Sequence, residues 1–215
     1  MNWNILKPID LSKIETISFP DDKYFYEIYE KKQIVLHHTM GSTVDGAIST
    51  WKQSKDNVAV CMIIDKTGLA WQLFSSKYWS YHIGAGNHDL DKHSIAIELI
   101  NWGYLTPGNN GKYKTYYGNE VYVPVQYYPN GFRGYNYYEK YSDAQIKTLG
   151  ELLLYWKMRY SIPLKYNPDM WDVTQNALKG TPGIWGHISY LPKPVKYDPH
   201  PQPNLIEMLQ TLSTI

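Results

Sequence analysis

Gln33-Ile34-Val35-Leu36-His37-His38-Thr39 is the stretch on which the fold depends. Its apolar run is too short for a helix and rich in β-branched residues, which predicts a buried strand. That strand delivers His37 and His38 to its end. Ser94-Ile95-Ala96-Ile97-Glu98-Leu99-Ile100 reads as a second buried strand, interrupted by one carboxylate. Val58 to Ile64 (VAVCMII) is a third, continuous apolar strand; Asp65-Lys66-Thr67-Gly68 turns it, and Leu69 to Phe74 returns as the other arm of a hairpin. Between the strands lie helical patterns. Ser42 to Ser54 places Val44, Ala47, Ile48 and Trp51 at helical spacing behind a Ser42 or Thr43 cap. Ser142-Asp143-Ala144-Gln145 has the order of a capping box and opens a helix with Ile146, Leu149, Leu152, Leu153 and Trp156 facing inward. A last helix is expected around Leu205 to Leu212. Strands alternating with helices predict an α/β layered domain of the α+β type, its central sheet flanked by helices.

The remaining segments carry fewer rules. Residues 1–31 read as an irregular N-terminal arm, Tyr78 to Asn87 (YWSYHIGAGN) as an aromatic loop, and the stretch after Pro163 as a polar loop. Trp102 to Tyr141 is rich in Gly, Pro, Asn and Tyr, with a turn signal at Pro129-Asn130-Gly131 and a short strand at Glu120 to Gln126. With no internal repeat and no linker, 1–215 is expected to be one domain.

Composition narrows the function. Lys plus Arg total 21 against 20 Asp plus Glu, so no charge excess draws the chain to nucleic acid or anionic membranes. A single cysteine, Cys61, supports neither a disulfide scaffold nor a multi-thiolate zinc site, so any metal must be held by His and carboxylate. No apolar run reaches the roughly 18 residues of a membrane span, and the first residues lack the pattern of a signal peptide; synthesis in the cytoplasm is the expectation. The aromatic residues are unusual: 21 Tyr and 8 Trp against 4 Phe, with eleven tyrosines between Tyr104 and Tyr141. Rings with a polar tip suit surfaces that hold sugars or peptides, and equally a flap sealed against the domain.

Of the seven histidines, none forms a HExxH pair. His37 ends a strand, while His187 and Asp198 flank the Pro-rich loop Gly186 to Pro199. Two imidazoles and one carboxylate leave a tetrahedral position open for water, as in catalytic zinc sites; the alternative is ordinary core or surface histidines. Glu98, inside an apolar strand, must face a cleft, a metal or a cation, since burying it unpaired costs several kcal/mol; a structural salt bridge is its other reading. Beside a zinc-activated water it could serve as general base and return the proton to a leaving amine. Lys196 could set an ammonium near a developing oxyanion. His38 should point away from His37, His88 and His93 should be solvated, and Cys61 should be a small core residue.

IVLHHT at 34–39, IDKTG at 64–68, WSYHIG at 79–84, SIAIELINWG at 94–103, YSDAQ at 141–145 and the Gly186 to Pro199 loop together resemble successive blocks of the zinc-dependent N-acetylmuramoyl-L-alanine amidases, type 2, whose superfamily includes the peptidoglycan recognition proteins. The resemblance spans residues 32–200, with 104–141 as a tyrosine-rich insertion and 201–215 as a C-terminal helix. It implies a central mixed sheet with Zn2+ in a cleft at the sheet edge, held by His37, His187 and Asp198. It further implies Glu98 as catalytic acid/base, Lys196 as the lysine of the Lys-x-Asp element, and His82 beside the substrate. Cys61 stands where many members carry a cleft-facing His, and His200 follows Pro199 where Gly is usual, so that His200 could compete as a ligand or line the rim.

The implied reaction is hydrolysis of the amide joining N-acetylmuramic acid to L-alanine in peptidoglycan, by a monomer that neither inserts into membranes nor binds nucleic acid. Its setting is cell-wall lysis by an endolysin-like enzyme released to the wall. The alternatives are a cytoplasmic amidase recycling muropeptides, a non-catalytic peptidoglycan-binding module, and a zinc peptidase acting on the stem peptide.

Overall fold

The structure is a computed structural model describing residues 2–215. Its core is a mixed sheet of six strands: β1 (Ile14–Thr16), β2 (Gln33–His38), β3 (Met62–Ile64), β4 (Ala70–Gln72), β5 (Ser94–Leu99) and β11 (Gly183–Gly186). They lie side by side in the order β1-β4-β3-β5-β2-β11. β3, β5, β2 and β11 run parallel, and β4 pairs antiparallel with β3. β2 is buried throughout, its Ile34-Val35-Leu36 run flanked by the buried polar side chains of Gln33, His37 and His38. The hairpin turn needs Gly68, whose φ is +88° and whose Cβ would lie 2.8 Å from the Ala144 carbonyl oxygen.

Helices α1 (Val44–Gln53), α2 (His88–Lys92), α3 (Asp143–Tyr160), α4 (Gln175–Leu178) and α5 (Pro203–Leu212) complete the layers. Thr43 caps α1. The Ser142/Gln145 capping box forms with both of its bonds, and Ile146, Leu149, Leu152, Leu153 and Trp156 are buried as the spacing predicts. The Gln145 side chain also donates to the carbonyls of Ile64 and Ile100, which fixes the start of α3 beside the carboxyl ends of β3 and β5.

Several sequence expectations need correction. The N-terminal arm is not wholly irregular, because Ile14–Thr16 adds an edge strand parallel to β4. Val58 to Ile64 is not one strand: only Met62–Ile64 joins the sheet, while Val58 and Ala59 pair with the backbone of Tyr81 and of the loop around it. The loop after Pro163 conceals β11, and α2 follows directly on the aromatic loop that ends at Asn87.

The largest correction concerns the tyrosine-rich segment, which forms a second, antiparallel sheet of five strands. These are β6 (Tyr104–Pro107), β7 (Tyr113–Lys114), β8 (Glu120–Val121), β9 (Val125–Phe132) and β10 (Tyr135–Glu139), in the order β8-β7-β6-β10-β9. Pro129-Asn130-Gly131 lies inside β9 as a bulge, since Tyr127 and Phe132 pair with Tyr137 and Tyr135 and leave the residues between them in excess. The chain reverses instead at Arg133-Gly134, where φ is +46° and +95°. Glu139 ties this sheet to the core: its carboxylate takes the Lys66 ammonium at 2.6 Å and the Trp102 N–H at 2.7 Å.

Candidate active site

The parallel register sets His37 of β2 directly beside Glu98 of β5, on the same face of the sheet. His187 follows β11 immediately, and the loop after it returns Asp198 to the same end of the sheet. His37, His187 and Asp198 are all buried, and one donor atom from each lies within 4.8 Å of the others. The His37 and His187 Nδ1 atoms are 2.8 Å apart, and Asp198 Oδ2 is 3.1 Å from His187 Nδ1 and 3.5 Å from His37 Nδ1. Glu98 and Lys196 line the same cavity, of about 400 Å3, with Trp51 of α1 and Tyr104, Tyr116, Tyr117 and Tyr197.

The protons around the cluster can be assigned from the hydrogen bonds. His187 Nε2 meets the Ile83 carbonyl at 2.9 Å; a carbonyl only accepts, so Nε2 carries a proton, which in the neutral imidazole leaves Nδ1 bare, as the acceptor. The Ser94 hydroxyl spends its one proton on the Leu90 carbonyl at 2.7 Å, so it accepts from His82 Nε2, also at 2.7 Å. His82 Nδ1 therefore accepts from His37 Nε2 at 3.1 Å, and His37 Nδ1 is bare as well. Burial depresses His37 to about 3 and His82 well below the usual imidazole range, so each ring holds a single proton. With both imidazoles neutral, two bare nitrogens and a carboxylate oxygen converge, an arrangement that repels itself unless a cation sits within it. The donor set fits a divalent metal with His/His/Asp ligation, each imidazole oriented through its far nitrogen.

Glu98 has the opposite character. Burial, reinforced by the charge of Asp198 and opposed by that of Lys196, raises its carboxyl well above the usual range, and its Oε2 is buried without a partner. No cation neutralises it at bonding distance among the described residues, which removes the salt-bridge reading. A carboxyl whose hold on a proton is strengthened by burial and which faces a cleft is suited to general acid/base work.

The other sequence candidates hold separate positions, and of these His82 lines the same cavity as His37. The His82 side chain is buried between His37 and Ser94, and the Asp91 carboxylate secures its loop by accepting the backbone N–H groups of His82 and Ile83. His38 turns to the opposite face, where Nδ1 meets the Tyr141 hydroxyl at 2.8 Å. His200 is away from the cluster: Tyr128 and the Glu139 carbonyl take its two nitrogens, and its ring stacks on Tyr141. Cys61 is a core residue whose thiol burial raises to about 12. His88 is largely exposed, and His93 bonds the Glu30 carbonyl. Ser94 and the Ile83 carbonyl escape a reading of the sequence, because a hydroxyl and a backbone oxygen that orient an imidazole leave no pattern of their own.

A sheet-end cleft combining clustered donors with an unpaired carboxylate is suited to hydrolysis. The family model for N-acetylmuramoyl-L-alanine amidase matches residues 29–201, and the chain belongs to that family. Its enzymatic class is accordingly that of an amidase acting on peptidoglycan. Among solved structures it is similar to PlyL (14% identity, 92% of this chain and 96% of that one, TM-score 0.53). It is also similar to AmpD (15%, 95% and 98%, 0.51) and to the Staphylococcus aureus hydrolase AmiA (14%, 98% and 86%, 0.53). At these identities the likeness is one of fold. No curated protein matches the sequence.

Proposed function

We propose that the chain is a zinc-dependent amidase that hydrolyses the bond between N-acetylmuramic acid and L-alanine in polymeric peptidoglycan, in the manner of a wall-lysing enzyme. The observation that carries this reading is the convergence of two bare imidazole nitrogens and the Asp198 carboxylate beside the unpaired carboxyl of Glu98. His37, His187 and Asp198 would hold the zinc, which when bound supplies Lewis acidity toward the scissile carbonyl and the attacking water. Glu98 takes the proton of that water and gives it to the alanine amine as the C–N bond breaks. The Lys196 ammonium faces the oxyanion of the tetrahedral intermediate. His37, Glu98, His187, Lys196 and Asp198 line one cavity. No described helix is long and apolar enough to cross a membrane.

Mass spectrometry of digested sacculi tests the reaction. Released stem peptides should begin with L-alanine and leave glycan strands with free lactyl groups. Peptides cut internally would point to a peptidase, and a strong preference for small anhydro-muropeptides over sacculi to recycling.

His82 is proposed to orient His37 rather than to touch substrate. His82→Ala should lower zinc affinity about 10- to 100-fold in competition with a chelating dye. His82→Asn, whose side-chain oxygen can take the same proton from His37, should retain most of it.

The tyrosine-rich sheet supports a polymeric substrate. Tyr116 and Tyr117 project from the β7–β8 turn into the cleft, 62% and 66% exposed, as a wall for a sugar face. Replacing both by alanine should raise KM on sacculi about tenfold, as expected for two aromatic contacts of about 0.5–1.5 kcal/mol each, with zinc content unchanged.

A further inference from the structure

Arg133 is a cation in an unexpected place. It sits at the reversal between β9 and β10, where a turn residue is normally solvated, yet its side chain is only 5% exposed. Burial draws its pKa down and the Asp172 carboxylate opposes this; a guanidinium still holds its charge at any working pH. A buried charge must be compensated, and here the compensation is almost entirely backbone.

Nη1 donates to the carbonyls of Leu191 at 3.2 Å and Lys196 at 3.0 Å. Nη2 donates to the carbonyl of Ile188 at 3.0 Å and to Asp172 Oδ1 at 2.8 Å. The three carbonyls belong to a single loop, the one that runs from His187 to Asp198. They lie at its start, its middle and its far arm, so one planar fork fixes the span of the loop. Asp172 is 85% exposed and contributes little to the hold.

The two functional ends of the loop are anchored differently. Asp198 is secured without Arg133, because its carbonyl accepts the Ile188 N–H at 2.9 Å and its carboxylate meets His187. Lys196 has only a long backbone bond of its own, from its N–H to the Pro192 carbonyl at 3.3 Å. Its other support comes from the tyrosine-rich sheet: Arg133 on its carbonyl, and Tyr104 and Tyr135 packed against the adjacent Tyr197 with ring centroids at 4.8 and 5.6 Å.

We infer that Arg133 is a positioning residue for Lys196, and that the tyrosine-rich sheet, besides walling the cleft, clamps the catalytic loop through it. The inference rests on the role proposed for Lys196. A lysine cannot replace the fork, since one ammonium cannot reach three carbonyls arranged around a plane.

The test is a double-mutant cycle on the metal-loaded enzyme, with zinc affinity and thermal unfolding measured alongside. Arg133→Ala should lower kcat about 10- to 100-fold, as expected for a displaced oxyanion group, with KM and zinc affinity within about threefold of wild type. Arg133→Lys should recover only part of the loss, and Asp172→Ala should change kcat less than about twofold. In a Lys196→Ala background the Arg133 substitution should cost almost nothing further, because the group it positions is gone. If it costs the same factor there as in the wild type, or if zinc is lost in proportion to activity, Arg133 is merely structural and the inference fails. If Lys196→Ala alone turns over at the wild-type rate, the role of Lys196 is wrong and the inference falls with it. Should Arg133→Ala fail to fold, Arg133→Lys is carried through the same cycle under the same criteria.

Discussion

Glu98→Gln should lower kcat on sacculi about 10³-fold while the protein keeps its zinc, as expected when a general base is lost but the metal ligands remain. Glutamine has nearly the shape of glutamate, so the β5 register with His37 and Ile63 is preserved. What disappears is, among the described residues, the only carboxyl lining the cleft that is not one of the clustered donors. Its surroundings suit proton transfer, because burial raises the pKa and one oxygen has no protein partner to release before it can take a proton. The measurement is the initial rate of appearance of L-alanine amino termini, with metal content determined on the same sample. A variant that stays near the wild-type rate would remove Glu98 from the mechanism.

His187→Ala should have the second large effect and a different signature. It deletes one of the three donors and also the ring that the Ile83 carbonyl orients. If zinc binding in such sites amounts to roughly 12 kcal/mol, loss of about a quarter weakens it by a hundredfold or more. Turnover should fall in step with zinc occupancy and return in part when zinc is raised well above the new Kd, whereas Glu98→Gln should not respond to added zinc. Calorimetric zinc titration and rate measurements on the two variants separate these patterns. Full zinc binding by His187→Ala would contradict the ligand assignment.

The parts of the molecule that can be read from sequence are those where a short pattern has one physical solution. Gln33 to His38 can be nothing but a buried strand, and the Ser142/Gln145 capping box announces α3 to the residue. β11 escapes because glycines at 183 and 186 leave only Ile184-Trp185 as an apolar signal. Pro129-Asn130-Gly131 suggests a turn, yet the same backbone preferences serve a bulge, and the side-chain amide of Asn136 closes that bulge by donating to the carbonyls of Tyr128 and Pro129. The cluster of His37, His187 and Asp198 is visible as residue types at strand and loop ends. Which nitrogen each imidazole presents is not, because that depends on Ser94, His82 and the Ile83 carbonyl, groups brought together only by folding. Arg133 belongs with these: a lone arginine in a turn reads as solvated until the loop it holds is seen across from it.

The central claim is that a metal held by His37, His187 and Asp198 makes this cleft an amidase. It is tested most directly by titrating metal-free protein with zinc while bound zinc and the release of L-alanine amino termini from sacculi are followed together. The two should rise in parallel and level off at one zinc per chain. Full activity in the rigorously metal-free protein, or zinc binding that reaches one per chain without restoring hydrolysis, would contradict it.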